Sequence, residues 1–437
     1  MKLFKRVAKG INVPNNKHTQ DFETVKMNIP NKVLLPIYQA NSSVSILVKK
    51  GEKVFVGTIL GVTNDIVSSN IYSSASGIVS DIKEITSPDT TIMQAVEIIT
   101  DGKQELLNTL TLPKVIGRET FLSAILNSGV SGLGGSDLSY LFKLSPEQIK
   151  QIDTLIINGT KSEPYTTIDN REFVENCEDI INGIILTQKY LGIKKVIIAI
   201  ERNKPEAIDI MFSLTKGDKN INVLPLKTCY PQSNETVLIE KCIGKEVPSG
   251  KLSTDIGVLV LNAETISFIS QYIKTGVPLI KKRITVDGNN IVNKMNIEVL
   301  LGTYFKDVIE FCGTINATKK IIAGDVLTGT TIIEDNYPVM KNCDAILVFD
   351  EEMTYQPKKI NCIRCGKCIQ VCPIGLHPVE IASSLKLNDN EMLKKLNAHL
   401  CLQCGCCSFV CPSKTMVSGQ VKIAKYLIDK GDKKFEQ

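Results

Sequence analysis

The feature that most narrows what this chain can fold into is a doubled cysteine run near its C-terminal end. Cysteines fall at Cys362, Cys365, Cys368 and Cys372, with Pro373 following, and again at Cys401, Cys404, Cys407 and Cys411, with Pro412 following. Each half reads C-x2-C-x2-C-x3-C-P, a spacing that holds [4Fe–4S] clusters. Three closely spaced thiolates on a tight loop wrap three corners of one cubane, and the fourth points away to the other. The spacing therefore assigns cluster one to Cys362, Cys365, Cys368 and Cys411, and cluster two to Cys401, Cys404, Cys407 and Cys372. Gly366 and Gly405 let the backbone approach inorganic sulfide, and the two prolines turn the chain out of each motif. Zinc sites favour two separated pairs, and disulfide frameworks suit short secreted domains, so neither matches. Cys406 has no slot in the pattern and reads as a packed or spare thiol.

The rest of the chain is long enough for about three or four domains. A net charge of +5 on 437 residues is no nucleic-acid signature. With only His18, His377 and His399 present, a histidine-based metal site is not expected, and these read as solvent-exposed or helix-end residues. Cys177, Cys229, Cys242, Cys312 and Cys343 show no motif spacing and read as buried thiols, which suits a reducing cytoplasm. No apolar run reaches the ~18 residues of a spanning helix. Met1 to Lys9 is basic without an apolar stretch, unlike a signal sequence. Membrane association is expected only through partners.

Residues 1–30 read as an N-terminal arm. Residues 31–110 carry short alternating strands separated by glycine turns, such as Ile78-Val79-Ser80-Asp81-Ile82, the pattern of a small β-sandwich or barrel. The stretches VKKGEKVFVGTILG and SSASGIVSDI resemble the barrel-sandwich of biotinyl and lipoyl carriers, without a carrier lysine. Residues 114–250 alternate apolar strands (Thr154 to Gly159, Lys194 to Glu201, Ile221 to Leu226) with helices (Asn170 to Leu191, Lys204 to Thr215). That alternation predicts a parallel sheet covered on both faces, with ligands beyond its carboxyl ends. The loop Ser128 to Gly135 holds four glycines, enough to bring amides against a phosphate, though such loops are also plain turns. Residues 251–320 read as a small α+β unit that includes the strand Asp255 to Asn262. Residues 321–344 read as a connecting segment, and 345–437 as the cluster domain. Its closing helix carries Lys422, Lys425 and Lys430, most simply a solvated face and otherwise a docking patch for an acidic carrier.

This order of parts resembles the C subunit of the Rnf ion-translocating ferredoxin:NAD oxidoreductase, a family related to the flavin subunit of respiratory complex I. GINVPNNKHT, SGLGG with Lys143-Leu144, NGTKSEPYTTIDNR, IERNKPEAI, YPQSNE, GVPLIKKRITVDG and the cluster motifs follow that family's landmarks in order. The resemblance implies a multidomain α/β and α+β architecture: a barrel-sandwich, a Rossmann-like domain, a β-grasp-like (SLBB) domain and a two-cluster ferredoxin domain. It implies FMN and NADH binding at Gly132, Gly134, Gly135, Lys143, Asn158 and Glu163, with amides and the ammonium on the flavin phosphate and the carboxylate on a ribose or nicotinamide group. It also implies partner redox subunits, or a ferredoxin- or flavodoxin-type carrier, at the cytoplasmic face of a membrane.

The chain departs from the family pattern at several positions. Ser136, Asp137, Leu138 and Ser139 replace Ala-Ala-Phe-Pro after the glycines. Lys161 and Ser162 replace Glu-Cys before Glu163. Ala323 to Gly329 replaces Gly-Gly-Pro-Met-Met-Gly, and Glu264 replaces a glycine. Two functions follow as expectations. In one, the chain is an electron-input subunit taking hydride from NADH through FMN to the clusters. In the other, it is a non-catalytic iron–sulfur module with a vestigial nucleotide site, such as one serving proline reductase.

Overall fold

The computed structural model describes residues 10–38, 44–63, 70–87, 91–130, 133, 145–354 and 358–433. Near the N-terminus two small antiparallel sheets form. One orders Lys32–Ile37, Ile92–Thr100, Gly77–Thr86 and Lys53–Val54; the other orders Val44–Ile46, Ile59–Thr63 and Ile71–Tyr72. Strand alternation sends Val79 into the core and Ile78 to solvent, as a period of two requires. Val33, Leu35, Leu60, Val79, Val96 and Ile98 fill the space inside. Gly77 is needed where strands approach, because a Cβ there would lie 2.0 Å from the carbonyl of Ile99.

The second unit is a parallel sheet of β1 (Thr154–Gly159), β2 (Lys195–Glu201), β3 (Ile221–Leu226) and β4 (Val258–Asn262), ordered β3-β2-β1-β4. β1 and β4 are buried along their whole length, so they read as unbroken apolar runs. Helices Cys177–Leu191 and Ala263–Thr275 pack closely because Gly183 meets the carbonyl of Ile266. The expected helix from Asn170 to Leu191 is two helices, Ile168–Glu175 and Cys177–Leu191, meeting at Asn176. Helix Pro205–Leu214 starts at its proline, where the missing N–H is tolerated.

Several expected boundaries are corrected here. Val258–Asn262 and its following helix belong to the parallel sheet, not to a unit starting at 251. The third sheet orders Val25–Lys26, Met295–Leu300, Lys281–Asp287, Ala345–Phe349, Lys320–Ala323 and Thr330–Ile332. It thus draws strands from the expected arm, from the expected connecting segment and from the expected start of the cluster domain. Its core gathers Ile284, Ile297, Phe305, Val308, Ile346 and Val348. The cluster domain follows, with helices Pro378–Lys386, Asn390–Lys395 and Val417–Lys433 meeting at Ile381, Leu393, Val421 and Ala424.

Candidate functional site

The two cysteine motifs fold as near copies. Arg364 and Gln403 have φ of 54° and 55°, Gly366 and Gly405 have 73° and 76°, and Gly375 and Lys414 have 69° and 51°. Amides turn toward sulfur in each: Arg364 N–H donates to the Cys362 Sγ and Gln403 N–H to the Cys401 Sγ, both at 3.4 Å. Leu376 N–H donates to the Cys372 Sγ at 3.2 Å.

One cavity of about 660 Å³ is lined by Cys362, Cys365, Cys368 and Cys411. A second, narrower one is lined by Cys372, Cys401, Cys404 and Cys407. Each wall therefore carries three cysteines of one motif and the last of the other. Among the described residues, no three His, Cys, Asp or Glu side chains converge as they would on a single ion. Thiols spread around a cavity wall, with amides aimed at sulfur, instead fit a cubane core.

The two copies face different surroundings. Cys362 and Cys365 are exposed, whereas Cys372 is buried and the other members of its set are half-buried. The slot filled by exposed Lys367 in the first motif holds Cys406 in the second, 1% exposed among Ile11, Tyr230, Leu327 and Val371. Lys425 is not simply solvated, since its ammonium donates to the carbonyl of Cys401 at 3.1 Å. Lys422 is exposed, and the Lys430 side chain lies outside the described residues.

Beyond the carboxyl ends of β1 and β4 lies the crevice where the chain order reverses, the usual ligand position in such sheets. Asn262, ending β4, donates to the carbonyl of Leu133 at 2.7 Å, tying the glycine-rich segment to this crevice. Gly132, Gly134, Gly135, Lys143 and Asp137 lie outside the described residues.

Asn158 and Glu163 are described, and both are committed to the protein. Asn158 donates to the carbonyl of Ser233 and accepts from the Thr160 N–H and hydroxyl. Glu163 accepts from the Leu327 N–H (2.8 Å) and the Thr328 hydroxyl (2.7 Å), and the Tyr230 hydroxyl oxygen stands 3.3 Å away. Its carboxylate braces the fold, with one oxygen on the Leu327 N–H and the other on the Thr328 hydroxyl. Burial, reinforced by Asp325, pushes its pKa up to about 7.

The sequence reading also missed a buried ion network. Lys161 bridges Asp325 (2.8 Å) and Asp344 (2.6 Å), and Lys282 bridges Asp344 (2.8 Å) and Glu264 (3.1 Å). Despite its burial, Asp344 is held well below the carboxylate range by Lys161 and Lys282. Glu264 is pushed up to about 7 by burial, with Asp344 adding to it. Lys17, from the arm, donates to the carbonyls of Lys161, Glu163 and Thr166. Its burial pulls its pKa down to about 7.

The remaining readings divide. His377 stands at a helix start beside Glu380, and His18 is exposed, both as expected, although His18 also reaches buried Asp287 at 2.9 Å. Cys312 and Cys343 are buried thiols, whereas Cys177, Cys229 and Cys242 are only half-buried. No helix among the described residues is long and apolar enough to cross a membrane.

Comparison with known proteins matches three segments of the chain. The RnfC barrel sandwich hybrid domain matches residues 5–103, the Nuo51 FMN-binding domain 125–271 and a 4Fe-4S dicluster domain 361–415. Among solved structures, the NAD+-reducing [NiFe]-hydrogenase in its H2-reduced state aligns over 71% of this chain and 61% of its own. The TM-score is 0.50 at 16% identity, a likeness of fold. The C subunit of the Na+-translocating ferredoxin:NAD+ oxidoreductase complex of Acetobacterium woodii is 33% identical over 374 residues, covering 84% of each chain. Its counterpart in the proton-translocating complex of Clostridium ljungdahlii is 37% identical over 355 residues, 80% of this chain and 78% of its own. With identity at this level spanning sandwich, parallel sheet and cluster domain alike, the chain belongs to the RnfC family.

Proposed function

We propose that this chain carries single electrons through two [4Fe–4S] clusters as the electron-input subunit of an Rnf-type ferredoxin:NAD oxidoreductase complex. It would lie against the cytoplasmic face of the membrane through its partner subunits. The observation that carries the reading is the crossed lining of the two cavities. Cys362, Cys365, Cys368 and Cys411 would hold cluster one, and Cys401, Cys404, Cys407 and Cys372 cluster two. The clusters supply one-electron transfer; the chain supplies thiolates, amides aimed at sulfur and exclusion of water, which together set potential.

FMN would sit in the crevice beyond β1 and β4, its phosphate against the amides of Gly132, Gly134 and Gly135 and the ammonium of Lys143. Bound there, it supplies the exchange between two-electron and one-electron chemistry. Asn158 and Glu163 would shape the crevice floor, each already holding hydrogen bonds within the chain. The parallel sheet is Rossmann-like and the third sheet is of the β-grasp-like (SLBB) kind. The domains run approximately over 31–110, 114–276, 277–349 and 358–437.

The occupied state of Glu163 and the Lys161–Asp325 pair favour a second reading, in which the same cluster relay operates without NADH. Anaerobic purification with iron, sulfide and flavin assays tests both. Iron and sulfide with FMN, and cluster bleaching by NADH, are the expected results of the first. Iron and sulfide without flavin or bleaching select the second, and colourless or zinc-loaded protein overturns both.

A further inference from the structure

Tyr230 lies in the loop after β3, at the same end of the parallel sheet as Glu163, and its side chain is 2% exposed. Its hydroxyl donates to the backbone carbonyl of Cys404 at 2.6 Å and stands 3.3 Å from a carboxylate oxygen of Glu163. The backbone of Tyr230 is pinned on both sides by Ile11, N–H to carbonyl at 3.0 Å and carbonyl to N–H at 2.8 Å. Glu163 reaches the same cysteine loop by a second route. It holds the Leu327-Thr328 turn, and the Leu327 carbonyl lies 3.3 Å from where a Cβ on Gly405 would stand. One carboxylate at the crevice floor therefore braces two contacts onto the loop of the second motif. Among the described residues the first motif has no such brace in the corresponding slots: Cys365 is exposed, and so is Lys367 where Cys406 is buried.

Resting on the cluster assignment proposed above, we infer that Tyr230 is a positioning residue. It seats the Cys372, Cys401, Cys404 and Cys407 cluster against the crevice as the first relay, leaving the Cys362, Cys365, Cys368 and Cys411 cluster as the outward one. Each transfer moves one electron and makes or breaks no bond. A hydroxyl donating to a ligand's peptide carbonyl draws electron density from the loop and favours the reduced cluster. A carboxylate one residue further back disfavours it. The two residues therefore tune cluster two in opposite directions, which a merely structural role would not produce.

The test uses full-length, anaerobically loaded protein and EPR-monitored redox titration with dithionite. Cluster two is identified as the signal lost in Cys404→Ser. In Tyr230→Phe, the reduced-to-oxidised ratio of cluster two at fixed potential is expected to fall about threefold. In Glu163→Gln at pH 8 it is expected to rise about threefold. Each is a shift of roughly 30 mV, at 59 mV per tenfold for one electron, while the cluster-one signal stays in place. Iron content reports separately on the cluster assignment: wild-type protein without two clusters removes that assignment and not the role of Tyr230 alone. Two loaded variants with unshifted cluster-two potentials, or with both clusters shifted together, overturn the inference. If Tyr230→Phe fails to load, Glu163→Gln decides it by the same readout.

Discussion

The ammonium of Lys161 stands 2.8 Å from the carboxylate of Asp325, and both side chains are largely buried. Both lie in stretches where the sequence departs from the family pattern it resembles, and their opposite charges answer one another. Asp344, 2.6 Å from the same ammonium, then joins this pair to Lys282 and Glu264.

Removing one member should expose the others. Lys161→Met leaves Asp325 and Asp344 short of a cation in a dry setting and is expected to destabilise by about 3–5 kcal/mol. Lys161→Met with Asp325→Asn should recover part of that loss, because one of the stranded charges is gone. Urea unfolding of these two variants and of Asp325→Asn alone checks the coupling, and simple additivity would contradict it.

Stability should also depend on pH through Glu264. Burial raises its folded-state pKa from 4.5 to about 7. Between those values the folded state binds more protons than the unfolded one, so stability falls as pH rises. Glu264→Gln should flatten that slope, with a gain on the order of 2 kcal/mol at pH 8 relative to pH 5. Denaturant midpoints at the two pH values measure it.

Crossed ligation makes a pairing prediction. Cys411→Ser should abolish the same EPR signal as Cys362→Ser, and Cys372→Ser the same signal as Cys401→Ser. Each should lower iron from about eight to about four atoms per chain. Cys406→Ser should keep about eight, because the thiol lies outside both sets. Loss of different signals within a pair would show that each motif holds its own cluster.

Gly183 makes a packing prediction. A methyl group there would lie 2.0 Å from the Ile266 carbonyl, so the two helices must part. Gly183→Ala gains helix propensity of roughly 1 kcal/mol but overpacks the interface by about 1–3 kcal/mol or more. A net loss of thermal stability is expected, read by calorimetry.

The cysteine runs were legible because ligand spacing is local, and β1, β2 and β3 were legible because buried parallel strands are continuous apolar runs. Strand order was not legible. Val258–Asn262 looks the same in sequence whether it joins β1 or opens a new unit, since a long connection carries no record of which edge it reaches. The third sheet was missed in part because Lys320–Ala323 and Thr330–Ile332 are short and separated by a loop. The inward turn of Glu163 depends on Thr328, and Lys161 on Asp325 and Asp344, partners more than 150 residues away. Pattern near a residue says nothing about such partners.

The arm that carries Lys17 has its partners far downstream: Ile11 pairs with Tyr230, His18 with Asp287, Thr19 with Asn296 and Val25 with Ile297. Those partners do not yet exist when the arm leaves the ribosome. A stretch made well before the partners it needs is therefore among the last to fasten, and it closes over a body already assembled beneath it.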